Sequence, residues 1–335
     1  MANRKAGSVR PLKPTSELSM IATIDLGGTR TKYGLVDGGS VVCASSCPAD
    51  AQGSLEAHLG VVLELLRSMC DQQGITLMDC GGLGVLSTGL VDNRAMRVLS
   101  TNGKHDDATG FDFRKWARER IGLELRMEND ARGALLGEWR YGAGRGVDNL
   151  MIVTLGTGVG TAVMLDGKLL TGPHFSAGIL GGHIIVNSGG RKCTCGAVGC
   201  LETEASGWVL PILVREHSAY VNSSLNGVEE LGFRELLEHA GNGDTCAKDV
   251  LEHMLRYWGE ALVSFTHCYD PERIIIGGGM MNAPDLVLAS LRETVSCLAW
   301  VEGEQVALVP AKFPDDAGLI GASALFREEW VGSDG

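Results

Sequence analysis

The chain has 335 residues, 44% of them hydrophobic, and a formal net charge of −12 at neutral pH. That acidity argues against a nucleic-acid partner, and the length suits two globular domains with apolar area enough for both. The uncharged run 150–165 is too short and too rich in Gly and Thr to cross a membrane.

In chain order, residues 1–19 carry Arg4, Lys5, Arg10 and Lys13 with two prolines and no apolar segment, which predicts a flexible tail and not a signal peptide. A β-rich run, 20–24, then leads into Asp25-Leu26-Gly27-Gly28-Thr29. The stripe of Leu55, Leu59, Val62, Leu63 and Leu66 predicts a helix over 54–74, and 81–86 reads as a short buried strand. An amphipathic helix is expected over 113–121. A strand over 123–127 should run straight into Glu128-Asn129-Asp130 and a helix that Gly142 and Gly144 end.

The strand expected at 150–154 opens on Leu155-Gly156-Thr157-Gly158-Val159-Gly160. From Leu26 to Gly38 and from Leu155 to Gly167 the chain aligns with itself without gaps, with four identities. Both stretches read strand, Gly/Thr turn, strand, so two similar halves are implied. Each turn offers backbone N–H groups unblocked by side chains, as a phosphate cradle requires, although a single such turn is more often an ordinary hairpin.

His183, Cys193, Cys195 and Cys200 follow within eighteen residues, closed by Glu202 two positions on. Zn²⁺ prefers thiolate sulfur and imidazole nitrogen in a closed tetrahedron, and Cys₃His is one of its structural sets. The other cysteines, Cys43, Cys47, Cys70, Cys80, Cys246, Cys268 and Cys297, are scattered singly, which suits free thiols in a reducing, cytoplasmic setting. Helices are expected over 209–220, 232–240 and 247–268. A strand over 273–276 opens on Gly277-Gly278-Gly279, the arrangement at which α/β folds place ligands.

Taken together, Asp25-Leu26-Gly27-Gly28-Thr29, Glu128-Asn129-Asp130, the 155–160 turn, Gly182-His183 with the cysteine run, Asp270-Pro271 before the triple glycine, and Gly318-Leu319-Ile320-Gly321-Ala322 resemble the ROK family of sugar kinases and sugar-responsive repressors. The resemblance implies an α/β, actin-like (hexokinase-type) fold with a structural zinc site. Its two α/β domains would close on ATP and a sugar, 20–129 forming the first and 130–317 the second. A last helix, 318–331, would return to the first domain.

The same resemblance implies ATP-dependent phosphorylation of a hexose or hexose derivative, with Mg²⁺ accompanying ATP, no nucleic acid or membrane partner, and a homo-oligomer, dimer or tetramer. A sugar hydroxyl needs a carboxylate to take its proton, and Asp130 matches the family's catalytic aspartate; on local grounds it is equally a helix cap. Gly89, Asn102, Asn129, Asp130, His183 and Glu202 are the implied sugar-binding residues, with His183 giving one ring nitrogen to zinc and one to sugar. Asp25, Gly27, Gly28, Thr29 and Lys32 of the first hairpin, Gly156, Thr157, Gly158 and Gly160 of the second, and Gly277, Gly278 and Gly279 would face ATP. Asp25 would act near Mg²⁺, and Lys32 would face either a phosphate or solvent.

The chain departs from the family's Ala-Gly-Glu-x-Gly-His pattern, reading Ala177-Gly178-Ile179-Leu180-Gly181-Gly182-His183 with one extra residue and no acid. The identity of the sugar is therefore open. Glu204 is a conceivable replacement acid, with an exposed helix position expected for it. The alternative function is a sugar-binding regulator of the same fold. The short stretch before Ile21, which leaves no room for a DNA-binding domain, favours the kinase.

Overall fold

Two five-stranded sheets of the same connectivity organise the computed structural model, which describes residues 20–50, 53–101 and 105–327. In the first, β1 (Met20–Leu26), β2 (Arg30–Asp37) and β3 (Ser40–Pro48) make an antiparallel meander. After α1 (Leu55–Gln72), β4 (Leu83–Ser87) lies parallel to β1 on its other side. A small hairpin, β5 (Leu90–Asp92) and β6 (Arg97–Ser100), and α2 (Phe113–Arg120) precede β7 (Leu125–Asn129), which completes the order β3-β2-β1-β4-β7.

Then α3 (Asp130–Tyr141) leads into the second sheet. Its β8 (Leu150–Leu155), β9 (Val159–Leu165) and β10 (Lys168–Leu169) repeat the meander. A long excursion follows through α4 (Leu201–Glu204), α5 (Leu210–Glu216), α6 (Phe233–Gly241) and α7 (Thr245–Tyr269). The parallel strand β11 (Arg273–Gly277), α8 (Pro284–Leu298) and β12 (Ala307–Pro310) complete the order β10-β9-β8-β11-β12, and α9 (Ala317–Ala324) follows.

The sequence explains most of these elements locally. Parallel strands covered on both faces read as continuous apolar runs, and β4 and β11 are buried almost throughout. Ser54 caps α1 by accepting from the Ala57 N–H, and Asp244 caps α7 by accepting from the Ala247 N–H. The internal repeat survives as topology but not as strict register, since Leu26 pairs with Thr31 while Leu155 pairs with Val159, one residue closer.

Three expected boundaries move. Strand β7 runs on to Asn129, so Glu128 and Asn129 are strand residues. The helix expected over 209–220 ends at Glu216, where His217 turns extended and its Nδ1 accepts from the Ala219 N–H at 3.2 Å. The last helix is the shorter α9, and 328–331 lie outside the described residues.

Helices α3 and α9 sit between the sheets. A cluster of buried residues built on them takes Ile21 and Leu86 from the first sheet and Ile152 and Ile275 from the second. Helix α9 packs on β1, β2 and β4 as well as on α3. The N-terminus of α3 is thereby held rigidly where the two halves meet.

Candidate active site

Both halves contribute to a cleft of about 640 Å³. One side is formed by Gly89, by Ser100 and Thr101, and by Asn129 and Asp130 at the start of α3. The β8–β9 turn, with Gly156, Thr157, Gly158 and Gly160, faces them together with His183 and Glu202. Residues more than a hundred positions apart in sequence are thus gathered around one space.

The local geometry is well supported. Asn129 is the α3 cap: its Oδ1 accepts from the Ala131 and Arg132 N–H groups at 3.0 and 3.2 Å. Its Nδ2 donates to Gly89 O and to Asp130 Oδ1, both at 2.9 Å. Capping therefore falls mainly to Asn129, and the Asp130 carboxylate lines the cleft. Gly89 has φ +88°, and a Cβ there would come within 1.9 Å of Ser100 O, so glycine is required where the chain closes against the β6 end.

On the opposite side, Gly207 and Trp208 N–H groups donate to Gly156 O and Thr157 O at 2.9 and 3.0 Å, pinning the second Gly turn. Glu202 Oε2 accepts from the Val159 N–H at 3.2 Å, and a Cβ on Gly158 would approach that oxygen to 2.5 Å. Glu202 is therefore locked against the turn it shares the cleft with.

Asp25 lies near Asp130 and Lys32. Burial, then the Asp130 charge, pushes its pKa up to about 7, with Lys32 pulling the other way. Two carboxylates held together like this form an oxygen-rich site that a divalent cation would neutralise, which fits Mg²⁺. Lys32 Nζ donates to Asp315 O at 2.5 Å, an exposed contact. Gly27, Gly28 and Thr29 form the β1–β2 turn outside the cleft lining. Gly277 pairs with Thr154, placing the 277–279 turn beside the second hairpin. Asn102 lies outside the described residues.

The four candidate zinc ligands converge. A ring nitrogen of His183 and the Sγ atoms of Cys193, Cys195 and Cys200 all lie within 4.8 Å of one another, Nδ1 being the nitrogen nearest Cys193 Sγ. The His183–Cys193 and Cys195–Cys200 separations are both 3.6 Å. Ligands about 2.0–2.3 Å from a tetrahedral Zn²⁺ would stand about 3.5–3.8 Å apart, and these two separations fall in that range, so the donor set suits the ion. Because Nδ1 faces the thiols, Nε2 is the ring nitrogen left for the cleft. Burial, with hydrogen bonds from Cys195 and Cys193, pushes the Cys200 thiol up to about 12, so metal binding has to displace a proton there.

Sequence reasoning missed three features. Glu128 and Arg132, both fully buried, flank Asp130 as an i,i+4 ion pair at 3.3 Å. Burial pushes the Glu128 carboxyl up against the opposing pull of Arg132. Asn93 Nδ2 donates to Glu128 Oε2 at 2.7 Å, while Arg132 donates to the Leu170, Phe175 and Ala177 carbonyls. The helix that carries Asp130 is thereby tied to the loop preceding Ile179. The i,i+4 spacing was a visible signal; the distant carbonyls were not.

Glu204 is 4% exposed, against the exposed position expected. It accepts from the Arg191 N–H at 2.9 Å and from Asn187 Nδ2 at 3.2 Å, bracing the cysteine-bearing loop away from the cleft. The third missed feature is that Cys195, an exposed member of the Cys/His cluster, also lines the cleft.

Ile179 and Leu180 both line the cleft and give it an apolar wall, Ile179 buried and Leu180 44% exposed. Thr161 fixes this wall, its Oγ1 donating to Gly178 O at 2.8 Å and accepting from the Gly181 N–H at 2.9 Å.

Comparison with known proteins gives the site its context. A glucokinase from Thermotoga maritima is 29% identical over 314 residues, covering 91% of this chain and 96% of its own. The structure of a ROK family glucokinase from Streptomyces griseus, in complex with glucose and AMPPNP, superposes with a TM-score of 0.76 at 29% identity, over 92% of this chain and 99% of that one. A ROK family transcriptional regulator, a homologue of the E. coli MLC protein, superposes with a TM-score of 0.80 at 26% identity, over 92% of this chain and 78% of its own. The fold is the actin-like, hexokinase-type α/β fold with mixed sheets. The ROK family model matches residues 21–329, from the first strand to beyond α9, and the chain belongs to the ROK family.

Proposed function

We propose that this protein is an ATP-dependent sugar kinase acting on a hexose or hexose derivative, with Asp130 as the general base. The observation that carries this reading is the meeting of Asp130, Asn129, His183 and Glu202 in one cleft with the Gly turn 156–160. In this reaction Asp130 accepts the proton of the attacking sugar hydroxyl. A bond forms from that oxygen to the terminal phosphorus of ATP, the bond to the bridging oxygen breaks, and ADP leaves. Asn129 holds Asp130 through its amide and orients the sugar beside it. His183 Nε2 and Glu202 take the neighbouring hydroxyls.

The turn 156–160 and the turns 27–29 and 277–279 receive the nucleotide. Asp25 and Asp130 would hold Mg²⁺ nearby, and the bound ion would supply charge neutralisation of the phosphates. Zn²⁺ on His183, Cys193, Cys195 and Cys200 is structural, fixing the loop that presents Glu202. We divide the chain into a first domain of 20–129, with α9 returned to it, and a second of 130–317. Ten cysteines without a disulfide support a cytoplasmic setting, and no described helix is long and apolar enough to cross a membrane.

A second reading, a sugar-binding regulator with little catalysis, is favoured by the superposition on a ROK transcriptional regulator at a TM-score of 0.80. A coupled ADP-release screen over hexoses, N-acetylhexosamines and rarer sugars separates the two. Sugar-dependent ADP release is expected; sugar binding with no release from any of them would select the regulator.

A further inference from the structure

One short segment, 202–208, clasps the turn 156–160 at three places. Gly207 and Trp208 donate to the carbonyls of Gly156 and Thr157, which orients the turn without using its donors. The third contact does the opposite, because Glu202 Oε2 accepts from the Val159 N–H at 3.2 Å. A carboxylate on a backbone N–H makes a charge-assisted bond, and the donor it takes is of the kind a phosphate cradle uses. Gly158 admits the carboxylate, since a Cβ there would stand 2.5 Å from the same oxygen.

Donors matter in this cleft. Among the described residues that line it there is no lysine or arginine, and its ionisable side chains are Asp130, His183, Cys195 and Glu202. A triphosphate on the turn would lean on backbone N–H groups and its own cation. A carboxylate seated there opposes it twice, by occupying a donor and by its charge. The segment itself is fixed: Trp258 Nε1 donates to Ala205 O at 2.7 Å, and Thr203 Oγ1 to Cys200 O at 2.8 Å. For Glu202 to change partners therefore takes a side-chain rotation and no movement of α4. Building on the kinase reading of the cleft, we propose that Glu202 couples the two ligand sites: its carboxylate withholds the 156–160 turn from the triphosphate until a sugar hydroxyl engages it, and the freed Val159 N–H then receives a phosphate oxygen. Binding is thereby ordered, sugar before nucleotide, and by linkage each ligand tightens the other by the same factor. Such an order keeps ATP from lying beside an unfilled sugar site, where water would take the sugar's place as acceptor.

The test is titration calorimetry of the full chain with Mg²⁺ and AMPPNP, a nucleotide that does not transfer its terminal phosphate, alone and with glucose well above its own Kd. In wild type, glucose should tighten nucleotide binding by about tenfold. Glu202→Gln keeps the shape and an acceptor for Val159 but not the charge. Without any sugar it should bind the nucleotide about tenfold more tightly than wild type, and glucose should add less than about twofold. A residue that only held the loop, or only bound sugar, would leave the sugar-free nucleotide affinity unchanged or weaker, and that result overturns the proposal. So does a wild type whose nucleotide affinity glucose does not change, an outcome that needs no variant. Coupling of this kind in a protein that releases no ADP with any sugar would leave the role of Glu202 standing and remove the kinase reading. Sugar-dependent ADP release with no gain of nucleotide affinity in Glu202→Gln would do the reverse.

Discussion

The two sheets have the same strand order but present different chemistry at their Gly turns. Beside the first turn lies a side-chain site: Asp25 at the end of β1, near Asp130 and opposite Lys32. The second turn is a backbone site, its carbonyls pinned by Gly207 and Trp208 and its Val159 N–H taken by Glu202. The clamps on the second turn all come from the excursion between β10 and β11, whose counterpart in the first half is little more than α1. Doubling one topology makes a cleft with two similar lips. The asymmetric excursion, with its cluster of thiols, makes one lip a positioned recognition surface.

The strongest way to break that asymmetry is to disrupt the Cys/His cluster in the excursion, the proposed zinc site. Structural Zn²⁺ contributes on the order of 10 kcal/mol to folding in zinc-finger peptides. We expect one Zn²⁺ per chain by elemental analysis. Chelation or Cys195→Ser should raise amide exchange through 183–202 and weaken sugar binding more than nucleotide binding. Zinc affinity should fall as pH falls, because the thiols regain their protons. Freshly purified protein without zinc, or equal weakening of both ligands, would contradict this.

On the first lip, Asp130→Asn keeps size and most hydrogen bonds but cannot take a proton. Turnover should fall by roughly 10²- to 10⁴-fold with sugar binding retained. The same change removes a charge that raises Asp25. A carboxyl with a raised pKa stabilises the folded state below its unfolded value and loses that contribution as pH climbs toward about 7. With Asp25 relieved, cation-free Asp130→Asn should therefore melt above wild type at pH 8, and near it at pH 4. Near-normal turnover would reduce Asp130 to a helix residue and send the search for a base elsewhere.

What the sequence made legible follows the same division. The paired hairpins, the strand running into Asn129-Asp130 and the convergence of His183 with three cysteines were readable because each rests on a short local pattern. Glu204 was misplaced because its partners, the Arg191 N–H and the Asn187 amide, become neighbours only when the zinc loop folds. Strand β3 was overlooked because its Ser-, Ala- and Cys-rich edge lacks an apolar face. Arg132 gave only its i,i+4 relation to Glu128, with no trace of the carbonyls between 170 and 177 that surround it.

Those carbonyls join the two lips, and breaking them is the next largest test. Removing one member of a buried ion pair typically costs about 3–5 kcal/mol, since the other charge is left uncompensated. Arg132→Met should destabilise the protein by about that amount. Adding Glu128→Gln should recover part of the loss by removing the orphaned charge. Catalysis in the single variant should suffer mainly through KM for the sugar, because the loop leading to Ile179 loses its anchor. A variant as stable as wild type would show that the pair contributes little to holding the loop.

The smallest effect concerns which sugars pass. A carboxylate buried against hydroxyls can reject an analogue lacking one by roughly 10⁴-fold, because the acid would stay unpaired, whereas an apolar wall discriminates by only about 10- to 200-fold. In the proposed kinase, Asn129, Asp130, His183 and Glu202 would hold the sugar's hydroxyls, and Ile179 and Leu180 would present an apolar wall to it. With Glu204 turned into the zinc loop, it supplies no acid to that wall. The kcat/KM values for glucose and for analogues altered on the apolar side, 2-deoxy, epimeric and N-acetyl among them, should therefore lie within about 10²-fold of one another. Either Ile179→Glu or Leu180→Glu should widen that spread in favour of the hydroxylated sugar, the position that touches it giving the larger change. A wild-type preference for glucose near 10⁴-fold, unaltered in both variants, would mean that another residue reads those hydroxyls and that the apolar wall plays no part in the choice.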